Sequence, residues 1–119
     1  MRFAVLLHEP PAGASGRHHD LFLELDEALL SFKVEPAIPF DEESFVAWRQ
    51  ADHRKRYLDY EGPISGDRGR VTRVDSGPMR GAARPDRSFE VELDGALMRG
   101  AYRFELLEDE RWRVTRLAR

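Results

Sequence analysis

Histidine and aspartate fall in this chain at positions from which they can converge. His8 ends an apolar run, His18-His19-Asp20 opens a second, and His53 precedes Tyr57-Leu58-Asp59-Tyr60-Glu61-Gly62. Successive side chains on a strand alternate between faces, so His18 and Asp20 point the same way and His19 the other. If His8 approaches that face from a neighbouring strand, two imidazole nitrogens and a carboxylate oxygen meet. That donor set suits manganese, zinc or iron(II). A histidine at a strand end equally serves as a hydrogen-bonding group. Spacing alone leaves both readings open, because no close-spaced signature such as HExxH or paired CxxC is present. The grouping of all four histidines in the first half is what points to a site.

The elements that must position these residues read mostly as strands. Residues 3–8 form a short apolar strand, and Pro10-Pro11-Ala12-Gly13-Ala14-Ser15-Gly16 is a loop by its proline, glycine and serine content. Residues 19–25 alternate cleanly. His19, Leu21, Leu23 and Leu25 share one face, which is core, and Asp20, Phe22 and Glu24 share the other, which holds the chemistry. A tight connection at Asp26-Glu27-Ala28 leads to residues 29–35 and completes a hairpin. Residues 41–51 admit two readings: a short helix capped by Asp41 and bearing Phe45 and Trp48, or a loop leading into an edge strand. Residues 57–61 read as extended, 62–66 as a turn, and 69–74 as a strand that Asp75-Ser76-Gly77-Pro78 stops. Three more strands follow at 88–93, 97–107 and 112–117, the first two joined by Asp94-Gly95, a strong hairpin signal. About eight short antiparallel strands with little helix predict an all-β fold, a small closed or nearly closed β-barrel.

Length and composition bound the rest. A chain of 119 residues with 41% apolar content supports one domain, residues 1–119, around one core. There are no cysteines, which removes disulfides, thiolate metal sites and cysteine nucleophiles and fits a reducing compartment, with the cytoplasm expected. The opening apolar run is too short for a signal peptide, and no stretch is long enough to span a bilayer. A net charge of −3 argues against coating nucleic acid non-specifically. Seventeen of the nineteen basic residues are arginines, suited to gripping phosphate or carboxylate in two-pronged fashion, although solvated strand faces account for them equally well.

The order of these motifs resembles the 3′-phosphoesterase module of bacterial DNA ligase D, the end-joining ligase, and especially its short free-standing relatives. The resemblance runs over most of residues 3–77. It is carried by His8, then His18-His19-Asp20-Leu21-Phe22-Leu23-Glu24, then Asp52-His53 through Tyr57-Leu58-Asp59-Tyr60-Glu61-Gly62, then Ile64-Ser65-Gly66. It implies a β-barrel phosphoesterase that trims 3′ ends of DNA or primer–template strands, removing a terminal ribonucleoside or 3′-phosphate. It further implies a divalent metal, manganese foremost with zinc or another transition metal as alternatives, held by His8, His18 and Asp20. By the same matching, His53 acts on the scissile phosphate and Tyr57 helps to hold it. Nucleic-acid 3′ ends would be the substrate, with a ligase, polymerase or end-binding repair protein as partner and no membrane.

Two cations of the fused module have no counterpart. Phe22 stands where that module has arginine, Val34-Glu35-Pro36 replaces its Pro-Lys-Gly, and with Met1 at the first strand the arm that precedes it in the module is expected to be missing. A weakened phosphate grip is therefore expected, with Arg17, Arg54 and Arg68 as the candidate replacements. Three readings follow: a 3′-end phosphoesterase; a metal-binding barrel that acts on another small phosphoester or serves as a scaffold in end joining; and an unrelated barrel whose histidines are structural. The third gains ground if His8 and Asp20 face apart.

Overall fold

Strands form here wherever alternate side chains can reach a shared interior. The computed structural model describes residues 1–118. It contains nine strands: β1 (Arg2–Glu9), β2 (His18–Glu24), β3 (Leu29–Val34), β4 (Ser44–His53), β5 (Gly62–Pro63), β6 (Arg70–Arg80), β7 (Phe89–Asp94), β8 (Arg99–Glu108) and β9 (Arg111–Arg116). One 3-10 turn, Lys55–Leu58, is the sole helical element among the described residues. Every pairing is antiparallel, in the order β1-β2-β3-β4-β9-β8-β7-β6, and β6 pairs back onto β1 to close an eight-stranded barrel. The two-residue β5 lies against β6 beside that ring. The expected all-β barrel is the fold observed. Closure leaves few free strand edges, which in a small β protein removes the main route to edge-to-edge aggregation.

The interior is filled by Phe3, Val5, Leu21, Leu23, Phe32, Phe104, Trp112 and Val114, all fully buried. The rings of Phe32, Phe104 and Trp112 meet at 5.4–5.5 Å, the tilted and edge-on contacts aromatic quadrupoles favour. A second apolar cluster lies on the opposite face of β1, β2 and β6. Ala4, Leu6, Phe22, Leu29, Leu58 and Val71 build it, and Tyr57, Tyr60 and Ile64 pack over it. The segment from 54 to 64 is thus a strap laid across the outside of the barrel. Glu24 fastens it, accepting the Arg2 backbone N–H at 2.8 Å and the Lys55 ammonium at 3.3 Å. Burial opposes the Glu24 charge, but these donors overrule it and hold its pKa below 4.5. A depressed carboxylate stabilises the fold above its unfolded pKa and loses that contribution as pH falls through the folded value. Glu24→Gln should therefore cost about 1 kcal/mol at neutral pH. In urea titrations the gap between variant and wild type should close in acid; a gap that persists there would assign the effect to packing.

Three local expectations are corrected. Of the two readings of residues 41–51, the helix is not found and the strand is not an edge: over residues 44–53 Phe45 and Ala47 turn inward while Val46 and Trp48 are exposed, and pairing with both β3 and β9 secures the two-residue period. The segment 57–61 does not begin extended, because Tyr57 and Leu58 end the 3-10 turn Lys55–Leu58 that lowers Leu58 into the outer cluster, where it is 2% exposed. Asp75-Ser76-Gly77-Pro78 does not stop β6, which runs on to Arg80. The Asp75 carboxylate is buried and accepts the backbone N–H groups of Ser76, Ala96, Leu97 and Met98 at 2.7–3.0 Å. It therefore ties β6 to the turn between β7 and β8. Gly95 has to be glycine there, since a Cβ would come within 2.5 Å of Asp75 Oδ2 and of the Phe3 ring.

Candidate metal centre

The β1–β2 register sets His8 directly opposite His18 and Leu6 opposite Asp20. His8, His18 and Asp20 share the outer face, and their donor atoms all lie within 4.8 Å of one another. His18 Nε2 is 3.1 Å from Asp20 Oδ1, His8 Nδ1 is 3.7 Å from Asp20 Oδ2, and the two rings are 4.8 Å apart. The far nitrogen of each ring is held by backbone: His8 Nε2 lies 2.9 Å from the Arg68 carbonyl, and His18 Nδ1 lies 2.7 Å from the Gly16 carbonyl. A carbonyl only accepts, so those nitrogens carry hydrogen and the ones facing Asp20 are left free to ligate. Orientation of metal-binding imidazoles by a hydrogen bond on the far nitrogen is the usual arrangement of such sites. The donor set therefore fits a divalent transition metal, with two neutral nitrogens and one anionic oxygen already turned toward a common point.

Burial works against a charge on His18, but the Asp20 hydrogen bond, the Gly16 carbonyl and the Asp20 charge together raise its pKa above 6.5. Because Nδ1–H is engaged by Gly16, the contact with Asp20 is a hydrogen bond only when Nε2 is protonated too. A metal ion bound there would compete with a proton for that nitrogen. His19 is turned to the other face, as the alternation requires. It is buried, its Nδ1 accepts the Ile38 backbone N–H at 2.9 Å, and burial followed by the charge of Arg17 lowers its pKa. It serves the fold.

His53 reaches the same face through an irregularity. Ser31 pairs with Gln50, yet Leu29 pairs with His53, so Ala51 and Asp52 together oppose Leu30. In unbroken pairing Asp52 would stand opposite Leu29, with His53 facing the barrel interior. The bulge turns His53 outward instead. Its ring sits 5.0 Å from Phe22 and 5.9 Å from Tyr57, and its Nδ1 lies 3.0 Å from the Ala51 carbonyl, which leaves Nε2 for a ligand. His8, Asp20, His53 and Tyr57 line one pocket of about 170 Å³ whose floor is Leu6 and Phe22. The guanidinium of Arg56 beside the Tyr57 hydroxyl lowers that phenol's pKa.

The three candidate replacement cations are not equivalent. Arg68 lines the pocket, with Nε donating to the Ser65 carbonyl at 2.7 Å and a terminal nitrogen 3.2 Å from the Ser65 hydroxyl. Its loop is drawn against the end of β1 at Gly69, where a Cβ would meet the Glu9 carbonyl oxygen at 1.9 Å. Arg54 is exposed at the start of the 3-10 turn, where its charge reaches Tyr57 without lining the pocket. Arg17 is exposed on the loop before β2, and its charge acts on His19, away from the pocket. Of the three, the fold brings Arg68 to the pocket, on a loop that approaches through the β1–β6 pairing.

The family model described as the DNA ligase D 3′-phosphoesterase domain matches residues 10–106, a span that includes His18, Asp20, His53 and Tyr57. Among curated proteins no match is found.

Proposed function

We propose that this chain, which belongs to the DNA ligase D 3′-phosphoesterase domain family, is a metal-dependent phosphoesterase that trims 3′ termini of DNA or primer–template strands by removing a terminal ribonucleoside or 3′-phosphate. The observation that carries this reading is the orientation of His8 and His18 by backbone carbonyls onto Asp20, at the mouth of a pocket that His53 also lines. His8, His18 and Asp20 would hold a divalent ion, manganese foremost, which when bound polarises the phosphoryl oxygens and offsets their charge. His53 offers Nε2 to the phosphate or to the departing oxygen, a role for which an imidazole is suited near neutral pH. Tyr57 and Arg68 supply donors at the rim and hold the phosphate in line with His53. A place in DNA end joining beside a ligase, polymerase or end-binding protein, in the cytoplasm, goes with this reading.

Phe22 favours a second reading. It is 2% exposed and meets the His53 ring at a tilt, where a cation would serve phosphate better. A metal-binding barrel with weak or no catalysis, acting as a scaffold in end joining or on another small phosphoester, accommodates it. The test is turnover of a labelled primer–template ending in a 3′ ribonucleotide or 3′-phosphate, with manganese, by wild type and His53→Ala. The wild type should trim, while His53→Ala should still bind manganese and lose about 100-fold or more in rate. Equal trimming by the variant would remove His53 from the chemistry. A wild type that binds manganese and trims nothing would establish the second reading.

A further inference from the structure

Cross-strand pairing extends the metal centre into a row. Asp20 is paired with Lys33, Lys33 with Trp48, and Trp48 with Arg111, so these four side chains stand side by side on the outer face of β2, β3, β4 and β9. Adjacent strands are about 4.8 Å apart, which places Trp48 roughly 10 Å from Asp20 across β3. Trp48 is 47% exposed, an uncommon position for a tryptophan that no neighbouring element covers. Its ring borders an open groove of about 630 Å³ with Val34, Pro36 and Val46 as apolar walls. Cations flank it on both sides. Lys33 is held by Glu35 at 3.0 Å and Arg111 by Glu108 at 3.1 Å, both solvent-accessible pairs that a phosphate can displace. Arg113, opposite Val46 on the same face, makes no ion pair among the described residues.

We infer that this row is a track for single-stranded nucleic acid: one base stacks on Trp48, Lys33 and the β9 arginines take the backbone phosphates, and the 3′ terminus lies at the His8–His18–Asp20 centre. An exposed aromatic face set among cations is how proteins bind single strands irrespective of sequence, since every base has a π-face. The inference rests on the phosphoesterase reading and adds to it the path of the strand leading to the reacting end. It also gives the missing cations a substitute on a different strand from the one that bears Phe22.

The chain reports on this face directly. It has two tryptophans, and Trp112 is fully buried, so quenching of tryptophan fluorescence by a bound base reads Trp48 alone. Titrating the protein with a short fluorescein-free oligothymidylate should quench that emission, and a labelled version should bind Trp48→Ala about tenfold or more weakly by anisotropy. Manganese affinity should be unchanged in the variant. Binding without quenching, and with equal affinity for Trp48→Ala, overturns the track. If neither protein binds the oligonucleotide while primer–template is still trimmed, the track alone fails; if trimming is also absent, the reading beneath it has failed. A wild-type dimer that Trp48→Ala dissociates would give this face to a second copy of the chain and overturn the inference.

Discussion

Asp20→Ala is expected to weaken manganese binding by more than about 100-fold, the upper end of what losing a group that merely orients a ligand costs. Asp20 is the only anionic donor in the group, and both of its oxygens face an imidazole, at 3.1 and 3.7 Å. Removing it leaves two neutral nitrogens with nothing to balance a dication. The backbone should survive. Gly16 and Arg68 still hold the two rings through their carbonyls, and the leucines of β2 still fill the interior. Calorimetric titration with manganese, beside thermal melting without it, separates the two effects. The melting temperature of the metal-free variant should fall by no more than a few degrees. A variant that unfolds would place Asp20 among the structural residues and count against the centre.

The largest loss of stability is expected at Asp75, far from that chemistry. Its carboxylate is 5% exposed and receives four backbone N–H groups, three of them from residues 96–98. Asp75→Ala would bury those donors without an acceptor, at a cost of about 3–5 kcal/mol. For a domain of this size that lowers the melting midpoint by roughly 10 °C or more. Asp75→Asn keeps one acceptor oxygen and should fall between variant and wild type. Urea midpoints of the three proteins give the comparison. A loss in Asp75→Ala below about 1 kcal/mol would mean that solvent reaches the 95–98 turn and takes over the role of the carboxylate.

What the sequence made legible was local. The alternation in residues 19–25 placed His18 and Asp20 on one face and His19 on the other, and Asp94-Gly95 marked the hairpin between β7 and β8. Partners distant along the chain were not legible. Asp75 reads as a strand stop because its acceptors' partners lie 21–23 residues further on. Phe45 and Trp48, three apart, suit one helical face as well as two faces of a strand, and the choice depends on β9, far along the chain. Tyr57 to Glu61 reads as extended, yet Leu58 is needed beneath the strap, and a 3-10 turn is what puts it there. Arg17, Arg54 and Arg68 were equal candidates by sequence, and only the loop closure that brings Arg68 to the pocket and leaves the other two outside it separates them.

The bulge in β4 makes arithmetic, not chemistry, the condition for His53 to take part. Neither Ala51 nor Asp52 lines the pocket, and both side chains are exposed. Their number is another matter. A chain one residue shorter between Gln50 and His53 would keep every proposed site residue and every core residue, and would still turn the imidazole into the barrel wall. At this point of the molecule it is the length of the segment that decides which face His53 takes.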